Sequence, residues 1–182
     1  MSVPLRFPPS DARAIVQYDR AVFDRFARRI RRLPKRGAMR TRGIGHESLF
    51  DTLVHILNVH EVWLGYIVRG RNSDKELEVL FDDRGRHPTD WRGFDRYAAR
   101  VWATVEETVS TLSPRSLGRT VRAFWMPGRY AVRDAFLQSS MEQAHHLGEI
   151  IGALWQNDVA PPDMTWIGVR RSAARTSRRS SE

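Results

Sequence analysis

Four long segments of this 182-residue chain repeat apolar side chains with the period of an α-helix. Along the first segment, one helix face carries apolar side chains at Ile15, Tyr18, Val22, Phe26 and Ile30. Segments of this length would form rods of roughly 33 to 39 Å, and each rod must bury its apolar face against another. The pattern therefore predicts an all-α fold, an antiparallel four-helix bundle.

The helix ends are predicted from capping residues and from proline. Ser10 is a suitable N-cap for the first helix, and Pro34 closes it. The four predicted helices span residues 11–33, 48–68, 91–112 and 131–156, with a small helix at 75–81. Alternating polar and apolar residues at 119–125, followed by Pro127-Gly128, indicate a short strand pair or an extended crossing.

Composition divides the chain into one domain, residues 1–167, and a tail, residues 168–182. The tail is Arg, Ser, Ala and Thr with almost no large apolar side chain, so we expect it to be disordered. The net charge of +9 would allow nucleic-acid binding. However, 28 of the 30 basic residues are Arg, which suggests codon bias, and no nucleic-acid motif is present. We therefore expect no nucleic-acid partner.

Two absences narrow the expected location and chemistry. The start lacks the apolar core of a signal peptide, and no apolar run approaches the roughly 20 residues of a membrane span. We expect a cytoplasmic protein with no membrane partner. The chain has no cysteine, which excludes disulfides and Cys-ligated metal. Any metal must be held by His and carboxylate side chains.

The most specific feature is a set of three candidate metal ligands. Glu142 and His146 are four residues apart and share a face of the fourth helix, and His55 lies within the second. A catalytic zinc site takes three protein ligands and leaves a position for water or substrate. Zinc suits this set best, and nickel, manganese or iron are compatible. By spacing alone, packed or surface residues remain the commoner explanation.

Several neighbours of the candidate ligands have two open interpretations. Glu149, three residues after His146, is either a second-sphere or proton-carrying group or an ordinary surface Glu. Asp51 either orients His55 or lies at the surface. His46 would lie about 13 Å along the axis from His55 if the helix extended that far, so a capping or surface role is expected.

Four other residues are not predicted to be metal ligands. His145 lies about 100° around the helix from the Glu142 direction and either supports the site or packs. His60 is expected to pack or face solvent. Trp63 and Trp155 are expected to anchor the core.

Two stretches resemble the DinB-like superfamily. Residues 51–64 resemble the second-helix motif of that family. Residues 146–164 resemble its ending, which has a His, a Gly-Glu pair, an apolar helix and a Pro-Pro-Asp turn. The likeness covers about residues 10 to 167 and follows the order of the predicted helices.

The resemblance implies a four-helix bundle that binds a divalent metal through three residues, mapped onto His55, Glu142 and His146. The commonest family pattern has His where this chain has Glu142. The mycothiol-dependent maleylpyruvate isomerase branch is similar to this chain in using Glu there. That branch implies a thiol S-transferase in which a low-molecular-weight thiol attacks a small electrophilic substrate. A non-catalytic metal-binding stress-response protein is the alternative, and the family also implies a homodimer.

Overall fold

The structure is a computed structural model that describes residues 8–40, 46–71, 73–81 and 87–169. These residues are mostly helical, which confirms the predicted all-α class. The helices are α1 (Pro9–Arg31), α2 (Lys35–Ala38), α3 (Leu49–His60), α4 (Asp74–Phe81), α5 (Trp91–Ser110), α6 (Pro114–Gly118) and α7 (Val132–Trp155). A π-helical segment, Glu61–Ile67, continues α3, and the short strands β1 (Thr120–Val121) and β2 (Tyr130–Ala131) pair antiparallel before α7.

The first helix begins earlier than predicted. Pro8 occupies the N-cap position and Pro9 the first turn, so Ser10 lies inside the helix and is not its cap. Proline suits this position because the first amides of a helix have no intrahelical acceptor. Ser48, by contrast, does cap α3, since its hydroxyl accepts from the amide of Asp51 at 3.1 Å.

The predicted second helix changes its pitch half-way along. From Glu61 the backbone follows π-helical geometry, and the amide of Val68 donates to the carbonyl of Trp63, five residues earlier, at 3.0 Å. A π-helix has more residues per turn than an α-helix and rotates the side chains that follow. Trp63 lies within this segment and is only 6% exposed, as expected for a core residue.

The core lies where the long helices meet. Helices α1 and α3 each contact both α5 and α7, and the π-helical segment contacts α5 and α7. The largest fully buried side chains include four phenylalanines: Phe23, Phe26, Phe50 and Phe136. In the part of the chain that is described, no helix combines the length and apolar character needed to cross a membrane.

One side of α7 faces outward although it is apolar. Trp155, predicted to anchor the core, is 60% exposed, so that prediction is wrong. Leu137 and Met141 are exposed as well, by 39% and 69%. The sequence of α7 is apolar on more than one side, and only the side that packs on α1 and α3 is buried.

After α7 the chain runs back along α1. Arg29 and Arg25 donate to the carbonyls of Ala160 and Asp163, both at 2.9 Å, and the Tyr18 hydroxyl donates to the carbonyl of Met164. Val169 is buried in the core. Packing therefore continues past the predicted domain end at residue 167, and the expected disorder of residues 170–182 lies outside the described residues.

A chain of buried polar side chains links α1, α3 and α7. Asp19 accepts from the Ser140 hydroxyl at 2.9 Å, and its backbone carbonyl accepts from the Gln143 amide, also at 2.9 Å. His60 donates through Nε2 to the Gln143 amide oxygen at 2.9 Å and accepts from the Ser139 hydroxyl at 2.7 Å. Both ring nitrogens of His60 are thus satisfied within the core.

Candidate metal centre

Three imidazoles meet where α3 faces α7. His55 comes from α3, His146 from α7 and His46 from the irregular residues that precede α3. One ligand nitrogen from each ring lies within 4.8 Å of the other two. The ring centroids of His46 and His55 are 3.7 Å apart and nearly parallel, while His146 meets both rings edge-on. The arrangement brings together two of the three predicted ligands and adds a third imidazole.

His46 lies beside His55 because α3 starts at its cap. We expected His46 in a capping or surface position, well along the helix axis from His55. Because Ser48 is the N-cap of α3, the helix does not extend back to His46. The backbone at His46 turns away from the helix axis and places the imidazole over the face that carries His55. The half-buried His46 ring lies on His55. The capping pattern of Ser48 and Asp51 was the one sequence signal for this turn.

Two carboxylates of α7 face His146 from opposite sides of its ring. The Glu149 carboxylate is 2.9 Å from Nδ1, and the Glu142 carboxylate is 3.7 Å from Nε2. Because an ionised carboxylate only accepts hydrogen bonds, Nδ1 donates to Glu149 and Nε2 carries the lone pair. Nε2 is therefore the nitrogen that could bind a metal, and it faces the predicted ligand Glu142.

Burial keeps two of the imidazoles neutral. Burial, followed by the nearby His46 and His146 rings, lowers the pKa of His55 to about 3. The pKa of His46 is lowered chiefly by burial and then by His146. Neutral imidazole is the form that binds metal. His46 and His55 thus present unprotonated nitrogens that a divalent cation can use.

A family model described as the DinB superfamily matches residues 17–150. The chain belongs to the DinB superfamily. The match runs from α1 to near the end of α7 and includes His46, His55, Glu142, His146 and Glu149. No curated protein matches the sequence.

The DinB superfamily is generally metal-binding, and the donors in this member fit a divalent ion. Imidazole nitrogen and carboxylate oxygen bind zinc at about 2.0 to 2.2 Å, so two ligand atoms on one tetrahedral ion lie roughly 3.4 Å apart. The 3.7 Å between Glu142 and His146 is close to that separation. This distance is too long for a hydrogen bond, but it suits two ligand atoms bound to the same cation.

A small cavity adjoins the candidate ligands of this DinB protein. Its volume is about 160 Å³. The lining combines two candidate ligands with an amide and apolar side chains: His55, Asn58, Val59, Val62, Trp63, Trp125 and Glu142. Trp125 is 38% exposed and packs edge-on against Trp63, so the cavity opens beside an indole. The space could admit several waters or a small organic group.

The remaining candidates lie outside the cluster or contact other groups. Asp51 accepts from the Ser48 hydroxyl in the cap of α3. Near the strand pair, Arg122 pairs with Asp74 at 2.8 Å, and Arg129 donates to Thr120 at 3.2 Å. His145 is exposed and lies 3.5 Å from Glu149. These two residues and His146, all on α7, form a second group that could hold a metal ion.

Proposed function

We propose that this DinB protein binds one divalent ion, preferably zinc, through His55, Glu142 and His146, and activates a low-molecular-weight thiol. The thiol then attacks a small electrophile. The observation that carries the proposal is the meeting of His55 and His146 beside Glu142 at the edge of a cavity. With no cysteine in the chain, the nucleophilic sulfur must come from a co-substrate.

The side chains around the proposed ion have separate roles. Glu149 holds the Nδ1 proton of His146, which fixes the ring and leaves Nε2 free. When bound, a divalent metal ionises a coordinated thiol near neutral pH. Asn58 offers the polar group of the cavity wall, and Trp63 and Trp125 provide apolar surface for the carbon skeleton of the substrate. This wall also limits access of water to the sulfur.

Two other functions are less well supported. A non-catalytic metal-binding stress protein would need the ligands but not the cavity. A nucleic-acid binder would need free cationic side chains on α1, yet Arg20 pairs with Glu106 and Arg31 with Asp95. The α1 arginines that hold the C-terminal segment are also engaged, as described above.

The antiparallel four-helix bundle, a cytoplasmic location and a homodimer complete the proposal. The contacts of α1 and α3 with α5 and α7 support the bundle. The outward side of α7 supports self-association, since Leu137 and Met141 lie at one end, Trp155 at the other, and the small residues Ala144, Gly148 and Gly152 between, with His145 beside them. A two-fold contact needs such a self-complementary surface, in which large groups of one copy meet small residues of the next.

Metal analysis tests the ligand set directly. The wild-type protein, dialysed against a weak chelator, should retain about one divalent ion per chain. His55→Ala, Glu142→Ala and His146→Ala should each lose most of it, whereas His145→Ala should retain it because the exposed His145 is not one of the three proposed ligands. Full occupancy in the ligand variants, or none in the wild type, would contradict the proposal.

Turnover separates an enzyme from a metal-binding protein. The zinc-loaded protein should accelerate consumption of a small thiol by a chromogenic aryl-halide electrophile, and Glu142→Ala should abolish the acceleration. If the protein binds its ion but does not accelerate the thiol reaction above the background rate, the result would favour the alternative, a non-catalytic metal-binding stress protein.

A further inference from the structure

The three clustered imidazoles, together with Glu142 beside His146, offer one donor more than an open metal site requires. A catalytic zinc site has three protein ligands, and a site with four protein ligands is closed. His55, Glu142 and His146 already supply three donors. The His46 nitrogen lies within 4.8 Å of the ligand nitrogens of both other histidines, so it is placed to be the fourth.

The position of His46 differs in kind from that of the other donors. His55 and His146 are fixed within helices, and Glu142 shares α7 with His146. His46 lies on the bend that precedes Ser48 and is held against the site by stacking on His55. A ligand on an irregular segment can leave with a change of a few backbone torsions, whereas a helical ligand cannot.

The environment of His46 also favours a metal-bound ring. His146 is buried and His46 and His55 are half-buried, so water reaches their nitrogens only in part, which is costly unless each finds a partner. A shared cation satisfies the lone pairs of all three at once.

We propose that His46 is a fourth protein ligand that closes the metal site in the resting protein and leaves when a thiol binds. The inference rests on the metal site of the proposed function. In the exchange, the bond between metal and His46 nitrogen breaks, a bond between metal and sulfur forms, and the thiol proton passes to solvent buffer. His46 thereby sets how readily the site accepts an external sulfur.

Cobalt substitution tests this without measuring turnover. Co²⁺ is titrated into metal-free wild type, His46→Ala and the control His145→Ala, and its visible bands are recorded. His46→Ala should weaken Co²⁺ binding at least about 10- to 100-fold, the loss that even an outer-sphere partner causes. Its visible spectrum should also change, because one nitrogen donor is replaced by water. His145→Ala should match the wild type in both respects.

A second titration with 2-mercaptoethanol follows the sulfur-to-cobalt absorption band. The band should develop at lower thiol concentration in His46→Ala than in the wild type, since no imidazole needs to be displaced. His46→Gln, which keeps a polar side chain, should behave as His46→Ala does. Circular dichroism of each variant establishes that its helices are intact.

The outcomes separate the two proposals. Equal Co²⁺ affinity, spectrum and thiol response in wild type and His46→Ala would overturn the role of His46 while leaving the three-ligand site intact. Weaker thiol binding in His46→Ala would also overturn it, because a displaced ligand cannot assist the group that displaces it. A wild-type protein that binds no Co²⁺ would overturn the proposed function as well.

Discussion

Asp19 lies within the core with half of its carboxylate unpaired. It is 1% exposed, one oxygen accepts from Ser140, and the other has no hydrogen-bond partner among the described residues. Burial raises the pKa of Asp19 from 3.8 to about 7, against the opposing effect of the Ser140 hydroxyl. Because the unfolded chain releases this proton near pH 4, Asp19 favours folding below pH 4, and its contribution is lost as the pH rises to 7.

Asp19→Asn should therefore change the pH dependence of stability. The free energy of unfolding of the variant relative to wild type should rise between pH 4 and pH 7, by up to about 4 kcal/mol for a shift of this size. Urea unfolding at several pH values measures it. The exposed Asp11→Asn is the control and should show no such trend. A constant difference between Asp19→Asn and wild type would refute the prediction.

At the scale of elements, Glu61 ties the start of the π-helical segment to α5. It is 4% exposed and accepts from the Tyr97 hydroxyl at 2.9 Å, and it pairs with Arg100. Removing the carboxylate leaves the buried Tyr97 hydroxyl without this acceptor. Arg100 is half exposed and can regain water, so the loss is smaller than for a fully buried pair.

Glu61→Ala should lower the free energy of unfolding by about 2 to 3 kcal/mol. Glu107→Ala is the matched control, since Glu107 also pairs with an arginine, Arg69 at 2.8 Å, but is 63% exposed. That variant should lose less than about 1 kcal/mol. Urea denaturation of both variants at pH 7 compares them, and equal losses would show that burial of Glu61 contributes nothing.

The helices were largely predictable from sequence, because a 3.6-residue apolar period and capping residues are local signals. The four long helices, the small helix near residue 75 and the strand pair all lie close to their predicted positions. The π-helical segment was not predictable, since its apolar residues also fit an α-helix. Trp155 was misjudged because an apolar residue shows which faces could be buried, not which neighbours arrive to bury them.

The site was predictable only in its helical part. The spacing of Glu142, His146 and Glu149 fixes their relative positions on α7, and the structure brings His55 to the same place. His46 could not be located by periodicity, because it precedes a helix cap and its direction depends on tertiary packing. The sequence therefore indicated His55, Glu142 and His146 as ligands, and the structure groups His55 and His146 with a further candidate, His46.

At the scale of the whole molecule, the outward face of α7 determines the expected assembly. Exposed positions 137, 141, 144, 148, 152 and 155 follow one side of the helix. Among the described residues, an added Cβ at Gly148 or Gly152 would meet no atom within 4 Å outside the adjacent backbone of α7. Because the middle of this face carries small residues, the backbone of a second copy could approach it closely.

Light scattering should give twice the 21.1 kDa mass of one chain. Met141→Asp should yield the monomer, because it places a charge within the apolar contact. Ile167→Asp is the control, since Ile167 is 67% exposed against 69% for Met141 but lies outside α7. A wild-type mass of one chain, or dissociation by both substitutions alike, would exclude this interface.

The attachment of residues 160–164 to α1 bears on how the protein acquires its fold during synthesis. Arg25, Arg29 and Tyr18 find their carbonyl partners more than 130 positions later in the chain. Ribosomes add about 5 to 20 residues per second, so α1 is finished on the order of ten seconds before those partners exist. During that interval the side of α1 that carries Tyr18, Arg25 and Arg29 has none of these partners on the nascent chain, where a chaperone would find its earliest opportunity to bind.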